Sequence, residues 1–367
     1  MKVSRQPGSG ARGCGFAGAL LLAGAVVGPV TAHDAVDAAT DLASDVASEA
    51  ASDPASGAPF DAAAQAAERD RIADAFGWDF ENAVITAERV TESLHVLFGV
   101  GGNVLVNVGP DGVLMVDDQF PQMAPRLLKA VEELGGGTVD FVINTHWHFD
   151  HADGNLSFGP GGAWLVSQAQ SREMMLSTRV VDLVGIQYTQ QGYPPEALPV
   201  ITYDRAMQFH LNGERIDLMH FGPAHTTGDT AVIFRGSNVV HLGDVFNNAG
   251  YPFIDVGNGG DLDGVIAFCQ AVLDEIDAST VVIPGHGPVA DYQTLQAYVA
   301  MLQVVRDRIA ELVGEGADLD TVMEARPTRG YDEQYGEPAR FIDRAYFSLA
   351  GGGSGTMDQD ESEVPPP

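Results

Sequence analysis

Between residues 94 and 118, apolar residues come in short runs that turn residues separate. The runs are LHVLFG, NVLVNVG and VLMVDD. Gly109, Pro110, Asp111 and Gly112 stand where the second run ends and the third begins, and residues of these types favour a tight turn. The pattern predicts three short strands in this region, two of which are joined by that turn.

Further along the chain, helical and strand patterns alternate. The run PQMAPRLLKAVEELGG has its leucines and valine at helical spacing and ends in glycines. Hairpins are predicted around Asn212-Gly213 and within TAVIFRGSNVVHLGD. Buried strands are predicted in VDFVINT, AWLVSQ and TVVIPGHG, and helices in GVIAFCQAVLDEI and DYQTLQAYVAMLQVVRDRIAELV. Because several strands pair as hairpins, the pattern favours mixed sheets with helices outside over a purely parallel sheet.

The two ends of the chain differ in composition from its middle. Residues 1–32 have a basic start, an apolar stretch and a small-residue cleavage site, which is the pattern of a cleaved signal peptide. Residues 33–71 are rich in Ala, Asp and Ser and predict a disordered acidic linker, and residues 351–367 predict a disordered acidic tail. The sequence therefore predicts one folded domain over residues 72–350, in a protein that is periplasmic or secreted.

The overall charge narrows the range of partners. The chain has 19 basic and 51 acidic residues, and its formal net charge is −32. A protein with this much negative charge repels polyanions, and we therefore expect no nucleic acid as a partner. For the same reason we expect no stable contact with an anionic membrane surface after the signal peptide is removed. The expected partner is therefore a small-molecule substrate. The sequence does not indicate the oligomeric state. Without residues 1–32 the chain keeps only Cys269, so it forms no intramolecular disulfide.

The residues that bear the chemistry each follow the end of a predicted strand, and loops there can converge on one edge of the sheets. They are His146, His148, Asp150, His151, His225, Asp244 and His286. His146 and His148 point the same way in an extended loop, whereas the adjacent Asp150 and His151 can point elsewhere. This arrangement favours two metal ions side by side. Imidazole and carboxylate ligands suit Zn²⁺ and are acceptable for Fe²⁺ or Mn²⁺.

Four motifs occur in the order THWHFDH, GPAHTTGDT, HLGD and PGHGP. In these motifs the chain resembles the metallo-β-lactamase fold superfamily, over about residues 92–300. The resemblance implies an α+β fold in which two mixed β-sheets are flanked by helices, an αββα sandwich with the metals at one edge. It also implies a role for each ligand residue. The first metal would be held by His146, His148 and His225, the second by Asp150, His151 and His286, with Asp244 as the bridge.

Asp244 leaves the substrate class open. Metallo-β-lactamases of the best-known subclass carry cysteine at the matching position and another subclass carries serine. Aspartate is usual in the wider superfamily, which includes glyoxalase II, lactonases and phosphodiesterases. Cys269 cannot substitute, because it lies inside a helical pattern. The expected protein is an exported dinuclear zinc hydrolase that uses a metal-bound hydroxide on an amide, lactone or ester, β-lactams included, with Asp150 as the catalytic residue that orients the nucleophile.

Two other functions are compatible with the motifs. One is a periplasmic metal-binding accessory protein of a quinoprotein-type system, although a purely structural site is normally closed by four ligands. The other is a mononuclear iron sulfur dioxygenase of the same superfamily, which uses one iron and typically lacks part of the second ligand set. Because both sets are complete in this sequence, the hydrolase is preferred.

The loop at residues 244–261 lies beside the expected metals and is rich in Asn, Gly and aromatic residues. It either contacts the substrate or only packs on the sandwich. The candidate contacts are Asn247, Asn248, Tyr251 and Phe253. Asp229 either supports a ligand histidine through a hydrogen bond or orders its own turn. An insertion at residues 173–205 either forms a lid over the site or belongs to the core.

Overall fold

The computed structural model describes residues 59–351 of the chain. The predicted signal peptide, the linker up to residue 58 and the tail from residue 352 lie outside the described residues. In the described range, no helix is both long enough and apolar enough to cross a membrane.

Strands and short helices alternate along residues 59–351. The strands are β1 (Thr86–Arg89), β2 (Leu94–Phe98), β3 (Val104–Gly109), β4 (Gly112–Val116), β5 (Phe141–Ile143), β6 (Trp164–Gln168), β7 (Arg179–Asp182), β8 (Gln187–Gln190), β9 (Ile201–Tyr203), β10 (Ala206–Leu211), β11 (Glu214–Met219), β12 (Ala231–Phe234), β13 (Val239–His241), β14 (Val281–Ile283) and β15 (Ala290–Asp291). The α-helices are α1 (Ala62–Phe76), α2 (Ala124–Glu133), α3 (Phe149–Ala152), α4 (Asn155–Phe158), α5 (Ala169–Met175), α6 (Leu262–Glu275), α7 (Tyr292–Gly314), α8 (Leu319–Ala325), α9 (Asp332–Tyr335) and α10 (Ala339–Leu349). Short 3-10 turns lie at Pro195–Ala197, Gly243–Val245 and Val256–Asn258.

Most of the strands form two mixed sheets. The first sheet has the order β1-β2-β3-β4-β5-β6-β9, antiparallel as far as β4 and parallel beyond it. The second has the order β10-β11-β12-β13-β14-β15 and is parallel only between β13 and β14. Strands β7 and β8 form a separate hairpin. The prediction of mixed sheets from the hairpin pattern is confirmed.

Alternation along the strands divides the apolar residues between two faces of each sheet. In β4, Leu114 and Val116 belong to a buried cluster that also contains residues of β11 and β12, so this cluster lies between the sheets. Val113 and Met115 of the same strand pack instead in a cluster with residues of α2. The outer face of the second sheet packs in the same way against α6 and α7. The result is the αββα sandwich that the four motifs implied.

Helix α1 places the start of the folded domain before the predicted boundary at residue 72. It begins at Ala62, within the segment predicted as a disordered linker. Its N-cap is Asp61, whose carboxylate accepts hydrogen bonds from two backbone N–H groups of the first turn. The predicted boundary is therefore wrong, and the domain includes α1.

Contacts with distant residues hold α1 in place. Gln65 donates a hydrogen bond to the hydroxyl oxygen of Tyr188 at 2.8 Å, and Arg69 forms a buried ion pair with Asp153 at 3.0 Å. Removing one partner of such a pair is costly, because the other charge then stays buried without compensation. The Ala-rich composition of this segment could not reveal partners that lie far along the chain, which explains the error in the predicted boundary.

Candidate metal centre

Loops that follow β5, β11, β13 and β14 bring the seven predicted ligand residues together. Asp150 and His151 lie on the short helix α3, directly after the loop that carries His146 and His148. The ligand atoms form three overlapping groups, in each of which they lie within 4.8 Å of one another. The groups are His146–His148–His225, His146–His151–Asp244 and Asp150–His151–His286.

The first donor set consists of His146, His148 and His225, whose side chains are all buried. Nδ1 of His148 and Nε2 of His225 lie 2.9 Å apart. Nε2 of His146 is buried and has no hydrogen-bond partner, which is costly for a polar atom. A cation among these nitrogens would satisfy them, and three histidines would leave a coordination position open, as in catalytic zinc sites.

The outward-facing nitrogens of two rings in this set are held by acceptors. Nε2 of His148 lies 2.8 Å from Oδ2 of Asp255. Nδ1 of His225 lies 2.8 Å from the carbonyl oxygen of Phe253, which accepts its hydrogen. Each acceptor fixes the proton on the outer nitrogen, so the inner nitrogen keeps a free lone pair for a metal.

Asp117 supports one histidine in each half of the centre. Its Oδ2 lies 2.7 Å from Nδ1 of His151 and accepts a hydrogen bond of 2.8 Å from the hydroxyl of Thr145. Because that hydroxyl gives its hydrogen to Asp117, its oxygen is free to accept from Nδ1 of His146 at 3.0 Å. This chain of hydrogen bonds fixes a proton on Nδ1 of both histidines and directs their Nε2 atoms inward, towards the position of a metal.

The second donor set consists of Asp150, His151 and His286. Nε2 of His151 and Nε2 of His286 lie 3.2 Å apart, and Oδ2 of Asp150 lies 3.2 Å from Nε2 of His286. The side chains of Asp150 and His286 keep 12% and 27% of their surface exposed. One side of this set is therefore open to solvent, in contrast to the first set.

Asp244 lies between the two donor sets. Its Oδ1 is 3.0 Å from Nε2 of His151, and its Oδ2 is 3.7 Å from Nε2 of His225. Despite this proximity, no hydrogen bond satisfies Oδ1. A carboxylate that reaches both sets suits a bridging ligand. Cys269 is buried in α6 with its thiol 3.5 Å from the carbonyl oxygen of Val245, so it does not share this position.

Burial and charge set the protonation of the centre. Burial, reinforced by neighbouring imidazoles, lowers the pKa of His146 well below its ordinary value. Burial also opposes charge on His151, but the carboxylates of Asp244 and Asp150 raise its pKa well above the ordinary value. Burial opposes the negative charge of Asp244, yet His286 and His151 hold its pKa well below the usual range. Since metals bind deprotonated ligands, a bound cation would replace the proton on His151 as the counter-charge.

Two glycines allow the ligands to pack closely against the backbone. A Cβ atom on Gly102 would lie 2.1 Å from Cε1 of His151, and one on Gly285 would lie 1.9 Å from Oδ1 of Asp244. Any larger residue at these positions would displace a ligand. Gly285 belongs to the PGHGP motif, whereas sequence reasoning did not single out Gly102.

Sequence reasoning missed the residues that orient the ligands. Asp117 directly follows β4, as the ligands follow their own strands, and its φ of 63° is uncommon for a residue other than glycine. Its strand-end position was therefore an available signal, but no local pattern marks Asp255. The proposed support, Asp229, accepts hydrogen bonds from the backbone N–H and the hydroxyl of Thr226 at 2.8 and 2.9 Å. Its carboxylate orders its own turn and has no hydrogen bond to a histidine ring among the described residues.

A cavity of about 370 Å³ opens beside both donor sets. Ligand residues from both sets line it, namely His148, Asp150, Asp244 and His286. This volume lies within the range of about 300–1,000 Å³ that is typical of small-molecule sites. A larger cavity, of about 640 Å³, has none of the seven ligand residues in its lining and lies away from the chemistry.

The loop after Asp244 supplies part of the cavity wall. Three of the predicted substrate contacts line the cavity, namely Asn247, Tyr251 and Phe253, and their contact with a substrate stays a prediction. Asn248 does not line the cavity, because its side-chain amide donates instead to the carbonyl oxygen of Pro288 at 2.9 Å. The predicted contact of Asn248 is therefore not supported by the structure.

The insertion at residues 173–205 contributes to both the cavity and the core. Val181 on β7 and Leu183 just after it line the cavity. Met175, Tyr188 and Tyr193 are buried in the outer core of the first sheet. Part of the insertion therefore belongs to the core and part to the cavity wall, and a lid over the site stays a prediction.

Comparison with known proteins identifies the family. The family model of the metallo-beta-lactamase superfamily matches residues 97–286, just over half of the chain. The chain belongs to the metallo-beta-lactamase superfamily. A curated relative, hydroxyacylglutathione hydrolase of Rhodospirillum rubrum, is 25% identical over 255 residues, which are 68% of this chain and 86% of the relative. The solved metallo-beta-lactamase from Pontibacter korlensis has a TM-score of 0.50 and 17% identity, over 60% of this chain and 99% of that chain.

These findings bear on the fold and on the broad class of activity. The resemblance to the superfamily that the four motifs indicated is confirmed, and so is the sandwich fold. The protein is a metal-dependent hydrolase of the metallo-beta-lactamase superfamily. Its His and Asp cluster suits a metal site, because imidazole nitrogens and carboxylate oxygens converge there with free lone pairs.

Proposed function

We propose that the protein is an exported hydrolase that works with two zinc ions on the carbonyl group of an amide, a lactone or an ester. The observation that carries this proposal is the pair of donor sets, which share Asp244 and open onto one cavity. The curated relative is named as a hydrolase of an acylated glutathione, which supports an acyl compound as the substrate class.

The donor atoms favour zinc for both positions. Each set combines imidazole nitrogens with a nearby carboxylate, and these are ligands that zinc prefers. The cysteine among the described residues, Cys269, is buried in α6 and does not supply a thiolate ligand. When bound, two zinc ions would acidify a water molecule and polarise the carbonyl oxygen of the substrate.

The residues of the chain would perform the remaining steps. Asp244 would hold the two halves of the centre together from the cavity side. Asp150 lies in the cavity lining with its Oδ2 3.2 Å from Nε2 of His286, so its carboxylate can orient the attacking water and accept its proton. The same carboxylate can then pass the proton to the leaving group. Phe253 and Tyr251 would exclude bulk water from that face.

Two features argue against the alternative functions, an iron sulfur dioxygenase and a metal-binding accessory protein. An iron sulfur dioxygenase needs one metal, whereas this chain provides a second set with two histidines and an aspartate. An accessory binding protein does not need metal ligands in the wall of a substrate-sized cavity, and four of the seven ligand residues lie in that wall here.

Metal analysis combined with a substrate panel tests the proposal. The purified protein should contain two zinc ions per chain and turn over at least one of a chromogenic ester, a lactone and a β-lactam. His148→Ala should lose both activity and zinc. His210→Ala is the matched control, because His210 is exposed on β10 and belongs to neither donor set. One iron per chain and oxygen consumption with a persulfide would contradict the proposal.

Export is proposed from the sequence of residues 1–32, which lie outside the described residues. N-terminal sequencing of the protein from fractionated cells tests it. The mature chain should begin near His33 and occur in the periplasm or the medium. An intact Met1 in the cytoplasmic fraction would contradict export.

A further inference from the structure

One cation lines the active-site cavity away from the metal ligands. Arg340, on the first turn of α10, lies in the lining of the same cavity as Asp150, Asp244 and His286. Among residues 59–351, it is the only arginine or lysine in that lining. Helix α10 lies beyond residue 286, where the match to the superfamily model ends.

Arg340 has no acidic partner within residues 59–351. Neither an ion pair nor a hydrogen bond involves its exposed guanidinium there. The guanidinium carbon lies over the ring of Phe76, 5.6 Å from the ring centroid. In contrast, Arg344 on the same helix pairs with Asp343, and Arg69 pairs with Asp153. The free guanidinium is available to bind an anion from solution.

Aromatic and aliphatic side chains surround this cation. Phe76 and Trp78 line the cavity and stack on each other, with 5.1 Å between their ring centroids. Val181, Leu183 and Phe341 complete this apolar wall. Phe76 is 37% exposed and Trp78 is also partly exposed, so this wall is available to cover an apolar ligand.

The acidic residues of the cavity determine where an anion can bind. Asp150 and Asp244 face the donor sets, where metal ions would balance their charge. Glu337 also lines the cavity, but it forms no ion pair with Arg340 among the described residues. An anionic group is therefore best placed beside Arg340, while the reactive carbonyl group lies at the metal centre.

We propose that Arg340 is the anion-binding and specificity-determining residue of this cavity. The substrate class is then an acyl compound with an apolar body and a free carboxylate at the end away from the scissile bond. The apolar body would lie against Phe76, Trp78 and Phe341, and the carboxylate would bind the guanidinium. The assignment of the reacting group rests on the proposed hydrolase function, whereas the anion site can be tested without turnover.

Matched pairs of chromogenic esters provide the kinetic test. The mono-4-nitrophenyl esters of adipate and suberate carry a free carboxylate, and their methyl esters carry none. The zinc-loaded wild-type protein should prefer the free acid of at least one pair. In Arg340→Gln, the ratio of kcat/KM for the free acid to that for its methyl ester should fall about tenfold, as expected for loss of a charge-assisted hydrogen bond. Arg340→Lys should keep most of the ratio, because it keeps the charge.

A control separates the local effect from the effect of net charge. Arg329→Gln removes the same charge from an exposed arginine that does not line the cavity. It should leave the ratio within about twofold of wild type, because a distant exposed charge is screened by salt. A ratio that is equal in wild type and Arg340→Gln, or that falls equally in Arg329→Gln, would overturn the anion site while leaving the hydrolase proposal intact.

Calorimetric binding to the zinc-loaded protein provides a second readout that needs no catalysis. The probes are 4-phenylbutanoate and the neutral 4-phenylbutan-1-ol. The Kd of the carboxylate should rise about tenfold in Arg340→Gln relative to wild type and to Arg329→Gln. If no ester is hydrolysed but this dependence is observed, the hydrolase proposal fails and the anion site stands. If the Kd does not depend on Arg340, the anion site fails whatever the kinetics.

Discussion

The two donor sets of the centre differ in how completely the protein encloses them. In the first set, His146, His148 and His225 are buried, and each outward nitrogen has a partner in Thr145, Asp255 or the Phe253 backbone. In the second set, His151 is held by Asp117, but Asp150 and His286 keep part of their side-chain surface exposed towards the cavity.

This difference suggests a division of roles between the sets. A buried set with fixed rings loses little conformational freedom when a cation binds, so it should hold its metal more tightly. The exposed set lines the cavity, where the proposed substrate would bind. Asp244 from the cavity side and Asp117 from behind join the two sets. The following substitutions test whether the sets behave as distinct sites.

The largest effect is expected from His225→Ala in the first donor set. Removal of one of three buried nitrogens leaves two donors for the first metal. We expect kcat/KM for a chromogenic ester to fall at least about 1000-fold, since a catalytic metal contributes several kcal/mol to the transition state. Zinc content, measured by elemental analysis, should fall to one ion per chain or less. Retention of two zinc ions with more than a tenth of the activity would show that this set is not the tighter site.

A smaller effect is expected from His286→Ala in the second donor set. The side chain is partly exposed, so a water molecule can occupy the vacated position. We expect kcat/KM to fall about 100-fold, comparable with the loss on disturbing a metal's surroundings. One zinc ion per chain should remain, as elemental analysis can determine. Loss of both ions would mean that the sets do not fill independently.

A still smaller effect is expected when the supporting carboxylates are changed one at a time. Asp255→Asn alters the partner of His148 alone, so it should weaken only the first zinc ion, by about 10–100-fold in affinity. Asp117→Asn alters the support of His151 and, through Thr145, of His146, so it should weaken both. Competition with a chromogenic chelator measures the two affinities. If the two variants lost affinity for the same zinc ion or ions to the same extent, the linking role of Asp117 would be contradicted.

The smallest effect is expected from Asp229→Asn. Burial raises the pKa of this carboxyl group, so a neutral amide of the same shape is tolerated, and one acceptor for Thr226 is kept. We expect a loss of about 1 kcal/mol in the free energy of unfolding, measured with denaturant, and no change in zinc content. A variant that lost zinc would instead indicate that Asp229 supports His225 directly.

Much of the fold and the ligand set could be predicted because the signals are local. Short apolar runs bounded by turn residues mark β2, β3 and β4. Asn212-Gly213 marks the hairpin of β10 and β11, where Asn212 has a φ of 52° and Gly213 a φ of 76°. The ligands belong to four short motifs that each follow a strand. These features depend on neighbours within a few positions, which the sequence displays directly.

The parts that escaped prediction depend on residues far apart in the chain. Asp255 meets His148, and Arg340 meets Phe76, only because the sheets and outer helices pack together. Helix α1 escaped for the same reason, since Arg69 has its partner at Asp153. Asn248 is a predicted contact because the loop at residues 244–261 lies beside the expected metals, but its side-chain amide donates to the carbonyl oxygen of Pro288 and does not line the cavity. Residue type and proximity in sequence could not distinguish Asn248 from Asn247.

Zinc titration of the metal-free protein, followed by calorimetry, tests the central claim most directly. Two unequal donor sets predict two binding events, with a total of two zinc ions per chain and a tighter first event. The tighter event should be absent from His225→Ala, and the weaker event should be absent from His286→Ala. A single event that saturates at one ion per chain, in the wild type, would contradict the account of two metal sites.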